Sequence, residues 1–404
     1  MRTLAVLSMH TSPLAQPGSG DGGGMNVYVR ELVTALAQAG VDTRVYVRRF
    51  AADLDEVIDV EPGFRVVQVP AGDPAIAKAE LHEVVDEYTE WVYEDLRRSG
   101  DVDAIHANYW LSGLAGHRLK HRLELPLIST FHTLARVKAE RGDPEPALRA
   151  AAEQEVIGCS DAITASSTAE AAQLQRLYGA QTERIEIVPP GVDHAFFSPG
   201  DRRGARRALG LGADPVLLFV GRIQPLKGVD VAISALAELD DGTATLLVVG
   251  GPSGPDGHTE AARARALVEE LGLARQVRFV QPQPHHLLST YYRAADVCLV
   301  PSRSESFGLV ALEAAACGAP VVAAAVGGLR TLVDHGRTGF LVDGRDPTVY
   351  AAYAAEVLGN PSLAGQLSGE AAAVARHFTW STTAARLRRV YADLAARSLV
   401  LCAA

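Results

Sequence analysis

Short, continuously apolar runs alternate along the chain with longer stretches in which apolar positions recur every three or four residues. In the first half the short runs cover 4–8, 43–48, 65–69, 104–108, 126–131, 162–166 and 184–188. Amphipathic stretches such as 27–39, 78–98 and 148–158 separate them. The second half repeats the alternation, with runs at 216–220, 245–249, 277–280, 297–300, 321–324 and 340–342. A strand with one face in water alternates apolar and polar positions, whereas a strand covered by helices on both faces does not. Most of these runs do not alternate. The pattern predicts parallel strands in a doubly wound α/β fold.

One break interrupts the alternation. The segment VPPGVDHAFFSPGDRRGARRALGLGADP, 188–215, is rich in Pro, Gly and Arg, and a new first strand, VLLFV, follows it. Two Rossmann-like domains are therefore expected, at 1–195 and 214–380, joined by a linker at 196–213. The helical stretch 381–399 has no strand after it, so 381–404 is expected to pack back across the domain boundary. Ligands of open α/β sheets bind at the carboxyl ends of the strands, so the two domains are expected to face a cleft.

Composition narrows the class. The chain has 404 residues, 48% of them hydrophobic and 21% charged, with a formal net charge of -10. That balance gives no basic face for nucleic acid, and a strongly anionic ligand must be held by a few placed cations. No run reaches the ~18 apolar residues of a membrane span. The N-terminal apolar stretch is too short for a signal peptide and leads directly into a Gly-rich loop. The four cysteines, Cys159, Cys298, Cys317 and Cys402, form no C-x-x-C pair and no zinc-type spacing with histidine. The expectation is a cytoplasmic protein with unpaired thiols.

The Gly-rich loop raises a chemical question. Gly18-Ser19-Gly20-Asp21-Gly22-Gly23 matches G-x-G-x-x-G. A dinucleotide fingerprint places its first glycine at the turn directly after strand one. Here the strand ends near Ser8, and the intervening segment carries Pro13 and Pro17. Strand two ends in Arg48-Arg49 rather than in an acid. A nicotinamide enzyme is therefore disfavoured, and no redox cofactor is expected. Gly22-Gly23-Gly24 still opens a helix, and a helix N-terminus with close backbone N–H groups favours an anion.

Two features of the second half sharpen this reading. GRIQPLKG, 221–228, follows a first strand and places Arg222 and Lys227 in one turn before a helix. A forked guanidinium and a mobile ammonium suit two linked phosphates. SESFGLVALEA, 304–314, puts Glu305 in a loop and Glu313 about two turns into a helix expected to start near Phe307. Acids there suit ribose and sugar hydroxyls. The D-x-D pairs at Asp53 and Asp55 and at Asp101 and Asp103 are read as surface.

With GR-x-x-PLKG and E-x7-E in place, the second half resembles the nucleotide-sugar domain of the retaining GT-B glycosyltransferases of family 4. SMHTSPLAQPG, GGMNVYV, HANYWLSG, HTLARVK and GGPSGP extend the resemblance over nearly the whole chain. It implies a GT-B fold and a retaining transferase that moves N-acetylglucosamine from UDP to an inositol phosphate. It also implies that Gly24, Arg222 and Lys227 hold the donor diphosphate, that Glu313 binds ribose, and that Glu305 binds the transferred sugar. Gln16 and Pro17 match donor-loop positions, and Gln283 stands near the uracil, where some relatives carry Arg. His132 matches a histidine facing the reacting carbon. On the acceptor side Lys78, Tyr109, Thr133 and Arg149 match a phosphate grip. His10, Thr11, Asp21, Gly22, Gly23, Gly24, Met25 and Asn26 match the loops beside it. Backbone carbonyls of Tyr292, Arg293 and Ala295 match a magnesium segment, although Ala319 departs from that pattern. The implied partners are a small-molecule donor and a phosphorylated acceptor, and the resemblance admits a homodimer. Another sugar-phosphate acceptor, a UDP-sugar epimerase and a silent nucleotide-sugar binder are the alternatives.

Overall fold

The computed structural model describes residues 2–18, 22–239, 241–254 and 256–402. The chain forms two compact units. One comprises Met1–Ala15, Met25–Pro190 and Trp380–Ala404, and the other comprises Gln16–Gly24 and Gly191–Thr379. Asp21, an expected acceptor contact, lies outside the described residues. None of the described helices is long and apolar enough to cross a membrane.

The first unit is built on an eight-stranded sheet. Its strands are β1 (Thr3–Leu7), β2 (Asp42–Arg48), β3 (Val57–Glu61), β4 (Phe64–Val69), β5 (Ala104–Asn108), β6 (Leu127–Thr130), β7 (Ala162–Ala165) and β8 (Ile185–Ile187). Their order is β3-β4-β2-β1-β5-β6-β7-β8, and only β3 pairs antiparallel. The buried strands show why the apolar runs do not alternate. Leu4 and Val6 of β1 pack with Tyr28 and Leu32 on one face. Ala5 and Leu7 pack with Tyr88 and Leu111 on the other. The edge strand β3, VIDVE, went unseen because it is short, mixed in polarity and mostly uncovered.

The helix Trp380–Ala395 completes this unit. Trp380, Ala384, Leu387, Tyr391 and Leu394 join the same core as Leu4 and Val6. Its polar ties are specific: His106 Nδ1 lies 2.7 Å from the Tyr391 hydroxyl, and Thr383 Oγ1 donates to the Pro189 carbonyl at 2.8 Å.

The second unit holds six parallel strands, β9 (Val216–Val220), β10 (Thr245–Val249), β11 (Val277–Val280), β12 (Val297–Val300), β13 (Val321–Ala324) and β14 (Gly339–Val342). Their order is β11-β10-β9-β12-β13-β14. Leu217 and Phe219 face one apolar layer, and Val216 and Leu218 face the other.

Three expectations need correction. The segment 196–213 is no spacer, because it contains the helix Arg202–Ala208 and is fastened to the second unit. Arg206 Nε donates to the Ala294 carbonyl at 3.0 Å, and Arg202 reaches Asp296 at 2.8 Å. The helix after Glu305 starts at Leu309, capped by Gly308 at φ 105, rather than near Phe307. A Cβ on Gly308 would come within 2.6 Å of Leu329 Cδ2. The cysteines are not all isolated either. Cys298 and Cys317 are buried thiols, but Cys159 and Cys402 are paired, with their Cα atoms 5.0 Å apart.

Leu387 is fully buried in the first unit. Leu387→Ala should therefore cost that unit about 2–5 kcal/mol in urea unfolding. A change near zero would mean that the helix does not belong to its core.

Candidate functional site

The first unit brings several of the expected residues to the carboxyl ends of neighbouring strands. After β1 the chain runs through Met9, His10, Thr11 and Ser12. Met9 N–H donates to Ser112 Oγ at 3.0 Å. Asn26, buried in the helix Gly24–Gln38, donates to Thr11 Oγ1 at 2.6 Å and to the Ser12 carbonyl at 2.5 Å. Asn26 thus fixes the loop that presents His10, while Met25 beside it is half-buried.

β5 ends at Asn108, and Tyr109 follows in the left-handed region at φ 75. Its ring lies 4.3 Å from that of His10, and the Arg149 guanidinium sits 4.8 Å over its face. β6 is followed by Phe131 and His132, the latter also left-handed at φ 62. Such backbone is uncommon for residues other than glycine and costs of order 1–3 kcal/mol. His132 Nε2 is 2.9 Å from Asn108 Oδ1, and its ring meets Tyr28 edge-on at 4.9 Å. Burial, with a smaller effect from His106, pushes the His132 imidazole down to about 3. It is neutral at physiological pH.

Arg149 lies in the helix Ala147–Cys159. It is buried. Its guanidinium donates to Thr133 Oγ1 and to the Thr133 carbonyl, both at 2.9 Å, and to Glu153 at 2.8 Å. Glu153 also accepts the Ala135 N–H at 2.9 Å and the Tyr178 hydroxyl. Glu145 lies 3.0 Å from Arg149 and pairs with Lys138, which reaches Asp143 at 2.9 Å. Burial alone would raise the Glu145 carboxyl, yet Lys138, Arg149 and Lys78 bring it below its usual range. Exposed Lys78, at the start of the 3-10 turn Lys78–Val84, therefore sits in the field of the same cluster. Lys138 belongs to HTLARVK and was not singled out. Its signal was its position one turn beyond Leu134.

The second unit gathers the other group. Although the glycine segment precedes a helix of the first unit, residues 16–24 pack with the second. Gln16 Nε2 donates to the Pro282 carbonyl at 3.1 Å, and Gly251 N–H donates to the Gly18 carbonyl at 3.1 Å. Gly18 N–H closes the loop onto the Gly22 carbonyl at 2.9 Å. Pro17 is half-buried. Gly23 lies against Arg222, where an added Cβ would stand 3.1 Å from Nε. An added Cβ on Gly24 would stand 3.6 Å from Leu309 Cδ1, an ordinary contact. Arg222, just after β9, reaches Ser253 Oγ at 3.3 Å. Gln283 turns its amide onto the Gln281 carbonyl at 2.9 Å.

Lys227 pairs directly with Glu305, and Ser302 Oγ donates to the same carboxylate at 2.9 Å. Gly327 and Gly328 hold that loop in place. A Cβ on Gly327, at φ 46, would fall 1.8 Å from the Glu305 carbonyl oxygen, and one on Gly328 would fall 2.4 Å from Phe307 Cα. Sequence reasoning missed these two glycines, and their adjacency after β13 was the available signal.

Glu313 lies in the helix Leu309–Ala316. It is buried, with Oε1 2.7 Å from His285 Nε2 and Oε2 accepting the Tyr292 hydroxyl at 2.8 Å. His285 was not foreseen. Each carboxylate oxygen retains a second lone pair.

The expected magnesium segment has a weak donor set. The Tyr292 carbonyl accepts the Ala295 N–H at 3.3 Å. The Arg293 guanidinium occupies the same turn, donating to the Ser198 carbonyl at 2.8 Å. The neighbouring carboxylate, Asp296, is engaged by Arg202, Arg206 and the Val216 N–H. Magnesium prefers carboxylate or phosphate oxygens in near-octahedral array, and these residues do not offer them.

Comparison with known proteins gives a consistent picture. Residues 22–196 match the family Glycosyltransferase Family 4, and residues 201–374 match the family Glycosyl transferases group 1. The D-inositol 3-phosphate glycosyltransferase of Thermobispora bispora is 46% identical, with 96% of this chain and 94% of that protein covered. The sucrose-phosphate synthase of Thermosynechococcus elongatus superposes with a TM-score of 0.92 at 33% identity, covering 98% of this chain and 100% of that one. Anabaena HepE, solved with UDP and glucose, superposes with a TM-score of 0.80 at 20% identity, covering 97% and 100%.

His106, fully buried, is also pushed by burial from 6.5 down to about 3. The unfolded chain then takes up protons that the folded His106 and His132 refuse. Stability should fall as pH drops from about 6.5 toward 3, and His106→Gln should flatten that slope in urea unfolding across pH. An unchanged slope would show that His106 is not held neutral.

Proposed function

The chain belongs to the GT-B glycosyltransferases of family 4, and on that premise we propose that it transfers N-acetylglucosamine from UDP-N-acetylglucosamine to 1D-myo-inositol 3-phosphate with retention of configuration. The observation that carries the acceptor side is the cluster on the first unit. Thr133 presents a hydroxyl held by a buried Arg149, beside Tyr109, while Lys78 and Lys138 share the field of Glu145. An ammonium, a phenol and a hydroxyl backed by a guanidinium suit a phosphate dianion. The 46% identity to an inositol-phosphate enzyme supports the choice of acceptor.

On the donor side, Arg222 and Lys227 take the diphosphate, with the N–H groups at Gly23 and Gly24 beside them. Lys227 is held by Glu305. Donor binding exchanges that partner for phosphate and turns Glu305 to the sugar hydroxyls. Glu313 receives the ribose, and Gln283 lies toward the base. In the reaction the bond from the anomeric carbon to the β-phosphate oxygen breaks, and a bond to the acceptor oxygen forms on the same face. The acceptor hydroxyl proton passes to the departing phosphate. Arg222 and Lys227 stabilise the negative charge that grows there. His132, neutral and tied to Asn108, supplies polar contact to the sugar rather than a proton. No metal step enters the scheme.

A second reading keeps the reaction and changes the acceptor to a phosphorylated hexose. The likeness to a sucrose-phosphate synthase favours it. Incubation with UDP-N-acetylglucosamine and either inositol phosphate or a hexose phosphate, followed by mass analysis, separates the two. UDP release indifferent to both acceptors would sink both.

Lys78→Ala and Thr133→Ala should each raise the acceptor KM roughly 10- to 100-fold while leaving the donor KM nearly unchanged. Equal loss for donor and acceptor would refute the assignment. Arg149→Ala is expected instead to weaken folding, because it strands buried Glu153.

A further inference from the structure

Away from the carboxyl ends of the strands, four metal-ligand side chains from three segments converge on the first unit. His117 and His121 stand one turn apart on the helix Tyr109–Leu123. Cys159 closes the helix Ala147–Cys159, and Cys402 follows the helix Trp380–Ala395. Their ligand atoms all lie within 4.8 Å of one another. His121 Nε2 is 3.2 Å from Cys159 Sγ and 3.0 Å from Cys402 Sγ, and His117 Nε2 is 3.3 Å from Cys402 Sγ. A tetrahedral zinc ion, with Zn–S near ~2.3 Å and Zn–N near ~2.0 Å, holds such S and N atoms about 3.5 Å apart.

The surroundings support the same chemistry. His117 Nδ1 lies 2.9 Å from Glu155 Oε1. A carboxylate behind a histidine fixes the tautomer that leaves Nε2 bare for a metal. The segment carrying Cys402 is pinned as well. Val400 N–H donates to Asp161 at 2.6 Å, and buried Lys120 reaches both Asp161 at 2.9 Å and the Cys159 carbonyl at 2.7 Å. In this structure the two sulfurs are joined as a disulfide, and the zinc site uses the same two sulfurs in the reduced dithiol chain. The disulfide gives no role to the two imidazoles that converge on them.

We propose that His117, His121, Cys159 and Cys402 form a Cys2His2 site for Zn2+. Binding displaces the two thiol protons, so two thiolates balance the charge of the ion. The site fastens residues 396–402 to the far ends of the two helices that begin with Tyr109 and carry Arg149. Its role is structural. The sequence hid it because the cysteines are separated by 243 positions and no local motif links them to the histidines.

The test uses the full chain, kept reduced, stripped with a chelator, desalted and titrated with Zn2+ alone. The expected result is one tightly held zinc per chain by elemental analysis. Co2+ in its place should give the intense visible bands of tetrahedral, thiolate-ligated cobalt. Cys402→Ser and His121→Ala should each lose both signals, and Zn2+ should raise the Tm of the wild type but not of the variants. The cobalt spectrum of the wild-type chain decides the matter even if a variant misfolds. Reduced wild-type protein that binds no zinc and gives no cobalt bands overturns the proposal, as does a mapped Cys159–Cys402 disulfide in protein whose reduction restores no zinc binding.

Discussion

Parallel strands cannot be joined by tight turns, and that constraint organises both halves of this chain. Each connection must cross over a face of the sheet, so every loop that leaves a strand emerges at the same edge. In the first unit β1, β5 and β6 are consecutive in the sheet and deliver His10, Tyr109 and His132 to that edge. In the second unit β10, β9 and β12 are consecutive and deliver Gly251, Arg222 and Glu305. Residues far apart in sequence become neighbours without any one of them having to fold toward another. The helices that cover the faces explain the apolar strands, and the strands explain the location of the chemistry.

A site for anions must remain folded without them, and the same carboxylates serve both states. Lys227 rests on Glu305, and Lys138 and Arg149 rest on Glu145 and Glu153. A buried cation without a partner carries a large desolvation cost. Pairing removes that cost and keeps each side chain near its working position. In the proposed reaction a diphosphate or phosphate would exchange one anionic partner for another rather than enter an unshielded cluster of positive charge.

The strands were legible because covered strands are uniformly apolar over four or five residues, and β3 was not because its VIDVE mixes polarity at an open edge. Arg222, Lys227 and Glu305 were legible because they flank strand ends within short motifs. Burial was not. Glu313 and Arg149 look like ordinary helix surface in one dimension, since helical spacing does not say which face meets another element. Their partners, Tyr292 and His285 for Glu313 and Glu153 and Thr133 for Arg149, are supplied by folding. The same holds for Gly327 and Gly328, whose lack of a side chain matters only because the Glu305 loop lies against them.

Two of the left-handed residues, both at strand ends in the candidate site, bear most directly on mechanism. Tyr109 and His132 occupy backbone conformations that side chains disfavour, so neighbouring contacts must hold them there. For Tyr109 these are the His10 ring and the Arg149 guanidinium. For His132 they are Asn108 and Tyr28. Backbone strain that the fold maintains at the ends of two adjacent strands marks positions where geometry matters more than local stability. The chemistry at His132 is narrowed further by its depressed basicity. Burial lowers its basicity, so the imidazole is neutral at neutral pH. It can present one ring nitrogen and one N–H at a fixed angle. In the transfer proposed above the proton goes to the leaving phosphate, which becomes more basic as the sugar bond breaks.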